Sequence, residues 1–160
     1  MNRTLPGLCL PAFLLTLLLP LCAPRSSAQQ LPAQKPQPTP EKVIAEHFAA
    51  FNACDWSRLM AQYADDMTFF SKDGATVRGR VAIGEMFKRV LEPPSRGGQC
   101  GVKLTPLHIK VVGSTVNVVW RADAPFFTKP YLGSEAFETR NGLLAAQVTT
   151  WDPSALPMKK

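Results

Sequence analysis

The sequence predicts an α+β layer fold, in which three N-terminal helices pack on a mainly antiparallel sheet. Apolar residues recur at helical spacing in three stretches between positions 40 and 91. Beyond position 102 the pattern turns to alternating β-branched and aromatic residues, punctuated by the turn pairs Gly113-Ser114 and Asn141-Gly142. Size is the third observation: 160 residues, 46% hydrophobic and 19% charged, suit one domain with a real core and exclude wholesale disorder.

Residues 1–28 stand apart because they read as a signal peptide. Arg3 supplies a positive start, Leu8 to Leu19 form an apolar run broken only by Pro11 and Thr16, and Ser26-Ser27-Ala28 offers small residues for cleavage. The run is short of the roughly 20 residues that cross a bilayer as a helix, so no stable membrane anchor is expected. A lipoprotein reading through Cys22 competes, but Leu21 and Pro20 precede it where small residues are wanted. Cleavage near Ala28 makes the protein periplasmic or secreted. It also removes two arginines and no acid, which lowers the formal net charge from +6 to +4. The remaining Lys and Arg are scattered, so no nucleic-acid partner is expected.

Residues 29–40 carry Pro32, Pro36, Pro38 and Pro40 and are expected to form a Pro-rich linker, extended and with little to bury. The domain is expected over 41–152, with a frayed C-terminal tail at 153–160. Thr39 is the candidate cap of the first helix, whose inward stripe is Val43, Ile44, His47, Phe48 and Phe51. Asp55 caps a short second helix, Trp56 to Tyr63. A strand follows over Met67 to Ser71, and Lys72-Asp73-Gly74 is turn chemistry. Arg80 to Leu91 forms the third helix, stopped by Pro93-Pro94, and the loop from Ser95 to Gly101 is expected to be mobile. Strands then run over Val102 to Val112, Thr115 to Ala122, Glu135 to Arg140 and Leu143 to Trp151, for four or five in all. Ala124 to Gly133 is a long aromatic connection, and Phe126, Phe127 and Tyr131 should cover either the pocket mouth or a dimer contact.

Outside the leader the cysteines are Cys54 and Cys100. An oxidising compartment allows a disulfide across that loop, worth about 3–4 kcal/mol, and two buried free thiols are the alternative. His47 and His108 add no recognised zinc spacing, so no metal and no cofactor is expected. His108 alternates with Lys110 toward solvent. Asp65-Asp66 and Gly97-Gly98 read as turn and loop residues rather than as metal or phosphate ligands.

Three segments, Phe48-Ala49-Ala50-Phe51-Asn52-Ala53-Cys54-Asp55-Trp56, Tyr63-Ala64-Asp65-Asp66-Met67 and Gly79-Arg80-Val81-Ala82-Ile83, together resemble the nuclear transport factor 2-like superfamily. That superfamily holds ketosteroid isomerase and the SnoaL-like polyketide cyclases in a cystatin-like, cone-shaped α+β barrel. The resemblance implies an apolar ligand pocket lined by Phe51, Tyr63, Phe69, Ser71, Met86, Trp120, Phe137 and Trp151, and a homodimer formed through the outer sheet face. It further implies that His47 and Glu135 occupy the oxyanion-hole positions of the isomerase. Ser71 stands where its carboxylate base would be, which disfavours isomerase chemistry, since an unactivated serine cannot take a proton from carbon. Two readings of His47 and Glu135 stay open: a tentative catalytic acid/base pair, or a core histidine with no turnover.

Two functions are therefore carried forward. The chain binds a small hydrophobic ligand, with or without weak isomerase-, dehydratase- or cyclase-like chemistry; alternatively, it is a non-catalytic homodimeric interaction domain with a filled pocket. An open cavity of about 300 Å³ or more would favour the first.

Overall fold

A computed structural model describes residues 30–159. The expected signal peptide lies outside the described residues. Helix α1 (Pro40–Asn52) begins where Thr39 caps it, accepting from the Lys42 N–H, and where Pro40 fills the first helical position, which needs no N–H. Its buried stripe includes Val43, Ile44, His47, Phe48 and Phe51. Asp55 caps α2 (Trp56–Met60) through the Arg58 N–H at 2.9 Å. Helix α3 (Arg80–Val90) buries Ile83, Gly84 and Phe87, and the Trp56 indole N–H donates to Gly84 O at 2.8 Å to join it to α2.

Six strands build one mixed sheet: β1 (Tyr63–Phe70), β2 (Thr76–Arg78), β3 (Lys103–Val112), β4 (Thr115–Asp123), β5 (Tyr131–Arg140) and β6 (Leu143–Thr149). Their order is β2-β1-β6-β5-β4-β3, antiparallel throughout except that β1 and β6 are parallel. The sheet curves over α1 and α3 without closing into a barrel, so β2 and β3 remain edges. Register shifts at Pro106/His108, Glu138/Thr139 and Tyr63/Thr68 supply local bends. The core lies between this concave face and the helices, with Trp120, Phe137, Tyr63, Ile44 and Leu59 essentially inaccessible.

The three helices and the Asn141-Gly142 hairpin stand where the sequence puts them; both turn residues have positive φ, 53° and 76°, as a type I′ turn requires. Several details differ. Helix α2 ends at Met60, because the Gln62 side chain donates back to Arg58 O at 3.0 Å and Tyr63 already pairs with Leu144 in the sheet. The three-residue β2, too short and exposed to carry an alternation, pairs with β1 at Phe69↔Val77. Strand β5 starts at Tyr131, so the last three residues of the expected aromatic connection are ladder, Tyr131 opposite Ala122 and Leu132 opposite Arg121.

Three segments expected to be loose are held. Residues 30–39 form no free linker, because the prolines leave the intervening N–H groups available. Lys35 N donates to Ala61 O at 2.7 Å and Gln37 N to Gly142 O at 2.8 Å, while buried Arg80 donates to Met60 O and Pro32 O. Residues 153–159 fold back on the aromatic turn: Thr128 N donates to Pro157 O at 2.7 Å, and Lys159 N to Phe126 O at 2.9 Å. The loop before β3 is tied by Gln99 N to Val90 O at 2.7 Å and by a disulfide between Cys54 and Cys100, whose Cα atoms lie 5.6 Å apart. Of the two thiol readings, the disulfide is the one in the structure.

Candidate functional site

The curved sheet leaves an apolar cavity of about 190 Å³ against α1 and α3. Each helix presents to it the stripe that its periodicity buries: His47 and Phe51 from α1, and Met86, Phe87 and Val90 from α3. Strand β1 contributes Phe69 and, just past its end, Ser71; β5 contributes Glu135, and β6 Gln147 and Thr149. Trp151 and Pro153 follow β6 at the mouth, facing Gln99 of the disulfide-tied loop. Leu104 of β3 is positioned by Asn52, whose side-chain amide accepts from Leu104 N at 2.7 Å and donates to Leu104 O at 2.9 Å.

His47, Glu135, Phe51, Phe69, Ser71, Met86 and Trp151 of the expected set thus meet around one chamber. Tyr63, Trp120 and Phe137 do not line it. They pack behind its wall: the His47 ring lies edge-on to Phe137 at 5.3 Å, and Tyr63 reaches His47 Nδ1 through its hydroxyl at 3.5 Å. All three are essentially inaccessible, Tyr63 and Phe137 packing against His47 and Trp120 against Tyr131 and Trp151. Gln147 and Thr149 were not expected, although alternation along β6 puts both on the face of Trp151. Phe87 is the helical neighbour of Met86 on the buried stripe of α3.

His47 and Glu135 share the chamber, but no hydrogen bond or ion pair joins them among the described residues. Their environments drive them apart. Burial without a charged partner pushes the His47 imidazole down to about 3, so it is neutral at physiological pH. Burial pushes the Glu135 carboxyl up to about 7, opposed by the Thr149, Gln147 and Trp120 donors that face it, of which Gln147 alone among the described residues makes a bond of full geometry. Gln147 Nε2 donates to Glu135 Oε1 at 3.1 Å. Burial raises the Tyr63 phenol well above its ordinary value, with the Glu135 charge adding to it. Glu135 is therefore the one lining group poised to exchange a proton near neutrality.

Ser71 has a local partner: its hydroxyl donates to Asp73, which also accepts from Ala75 N at 3.0 Å. These bonds hold the exposed Asp73 carboxyl low, so it is a turn aspartate. His108 lies exposed on β3 beside Lys110. No group of three or more His, Cys, Asp or Glu side chains is placed to hold a metal among the described residues.

A helix-lined half-open cone with a buried carboxyl at its polar end defines a class of α+β pocket proteins, and comparison with known proteins names the family. Residues 44–147 match the SnoaL-like domain, and the chain belongs to that family. Solved structures share the fold. A nuclear transport factor 2-like protein of unknown function from Cytophaga hutchinsonii superposes with a TM-score of 0.58 at 14% identity, covering 76% of this chain and 96% of that one. A proposed ketosteroid isomerase from Kribbella flavida gives 0.58 at 16%, over 71% and 77%. A proposed polyketide cyclase from Sinorhizobium meliloti gives 0.56 at 20%, over 68% and 94%. At such identities the likeness is one of fold. Comparison with curated proteins finds no match.

Proposed function

We propose that this SnoaL-like domain binds a small, largely apolar ligand in the 190 Å³ cavity, with Glu135 exchanging a proton with it and neutral His47 orienting it. The carrying observation is Glu135 itself. It is a carboxyl only 7% exposed, with one oxygen unpartnered, at the polar end of an aromatic chamber. The related structures include proteins proposed as an isomerase and a cyclase, chemistries that need one such group. The volume is smaller than the roughly 300 Å³ at which drug-sized ligand sites begin, so the ligand is one ring or the end of a larger molecule. An apolar cavity of about 150 Å³ already admits benzene.

Part of this proposal concerns setting. Removal of residues 1–28 would deliver the domain to the periplasm or outside the cell, where the Cys54–Cys100 disulfide is stable. A homodimer through the convex sheet face is supported by Leu132 and Val148, 64% and 48% exposed on that side.

The interaction-domain reading draws support from the modest cavity volume, and one experiment separates the two. One- and two-ring aromatic fragments are screened by NMR on protein with labelled methionine methyls and tryptophan indoles. Ligand binding shifts Met86 and Trp151 together, and Phe51→Trp, which fills the chamber, abolishes the shifts. Fragments that bind only on the convex face, or none at all, would sink the cavity reading.

A further inference from the structure

The polar end of the cavity is chemically unfinished. Glu135 Oε2 and Gln147 Oε1 are closed off from bulk water and accept no bond of full hydrogen-bond geometry, although the Thr149 hydroxyl and the equally unpartnered Trp120 indole N–H face the carboxyl. Both side chains line the cavity, and the two residues are 7% and 3% exposed. The bond from Gln147 Nε2 to Glu135 Oε1 fixes which end of the amide is oxygen. Both atoms are therefore acceptors, carried by two residues that line the same cavity.

Nothing in the chamber supplies one as a cation. No Lys or Arg is among the lining residues. At the rim, Lys72 is held by Asp152 at 2.5 Å, and Asp73 adds a second acid beside Ser71. The walls are ring faces and edges from Phe51, Phe69, Phe87 and Trp151, surfaces that attract a positive charge. A carboxylate and an amide oxygen at the end of an aromatic chamber without a competing cation make a receptor for ammonium. The Trp151 indole N–H is also unpartnered and would suit a carbonyl, but a carbonyl ligand would leave both oxygens orphaned.

We propose that the ligand is a primary amine on a single ring or similarly sized apolar body, its ammonium donating to Glu135 Oε2 and Gln147 Oε1 and its body lying against Phe69 and Trp151. This deepens, and rests on, the reading of the cavity as a ligand site. Beyond the benzene that about 150 Å³ admits, 190 Å³ leaves room for a methylammonium.

The test compares benzylamine with benzyl alcohol, which has the same number of heavy atoms and nearly the same shape, by calorimetric titration near pH 8. Benzylamine binds at least tenfold more tightly to the natural protein, and Glu135→Gln, of equal size, erases the preference. Benzylamine affinity also falls by about tenfold per pH unit below pH 7 as Glu135 takes up its proton. Across that range no other group facing Glu135 titrates: His47 on α1 is neutral down to about 3, Tyr63 on β1 is raised, and β4 and β6 present Trp120, Gln147 and Thr149. At the rim, Asp73 is held low and Asp152 lies at about 2.

An amine preference that survives Glu135→Gln would assign the effect to the rim acids and overturn the proposal. Equal or tighter binding of the alcohol would overturn it too, while leaving the cavity reading intact. If neither compound binds but neutral fragments still shift Met86, the amine class alone fails. Failure of all of them fails both.

Discussion

His47 and Glu135 pull the pH dependence of stability in opposite directions, which makes each visible when the other is removed. Folded His47 holds its proton less tightly than the unfolded chain, about 3 against 6.5, so its contribution grows as pH rises between those values. Folded Glu135 holds its proton more tightly, about 7 against 4.5, so its contribution is complete below 4.5 and is lost as pH rises to 7. Each slope is about 1.4 kcal/mol per pH unit, and between pH 4.5 and 6.5 they cancel. Urea unfolding at several pH values should therefore show a plateau for the natural chain. Glu135→Gln should turn that plateau into a rise with pH, and His47→Gln into a fall. A flat profile in both variants would mean that neither group is buried as described.

Among the elements, β5 carries the tightest constraint. A Cβ on Gly133 would stand 2.3 Å from Trp120, which is fully buried between Tyr131 and Trp151. Gly133→Ala should cost about 1–3 kcal/mol in denaturant unfolding and shift the Trp151 indole resonance, because the wall must repack. An unchanged midpoint would contradict the packing. The Cys54–Cys100 link ties the end of α1 to the loop before β3. Cys54→Ala with Cys100→Ala should lose about 3–4 kcal/mol and leave residues 92–101 fastest in hydrogen exchange.

At this scale the limits of legibility show clearly. Helices α1 and α3 were legible because a one-sided apolar stripe has a single physical solution. The hairpin at Asn141-Gly142 was legible because both residues tolerate positive φ. Strand β2 was not, since three exposed residues carry no period. The docking of residues 30–39 was hidden because it rests on backbone groups that any residue possesses. Of the site, the resemblance supplies His47, Phe51 and Met86 on helix stripes but not Phe87 and Val90, which line the cavity from the same stripe of α3. Tyr63, Trp120 and Phe137 were placed one layer too far forward, because how deep a large side chain sits depends on sheet curvature, which alternation does not encode.

For the whole molecule, the proposed homodimer would form through the convex face. Leu132 and Val148 are apolar and exposed there, beside Ala136 and Val119. If that face joins two copies, Leu132→Glu should shift sedimentation from dimer to monomer while leaving ligand contacts in the cone unchanged. A natural chain that sediments as a monomer at high concentration would dismiss the dimer.

The parallel pairing of β1 with β6 sets Phe70 beside Val148, so the middle of the sheet is stitched from the two ends of the domain. A chain emerging N-terminus first must hold β1 with one long edge open until its last strand arrives. Such distant closure slows assembly and leaves a sticky intermediate in the meantime. Truncations that delete β6 should therefore aggregate rather than yield a smaller working domain.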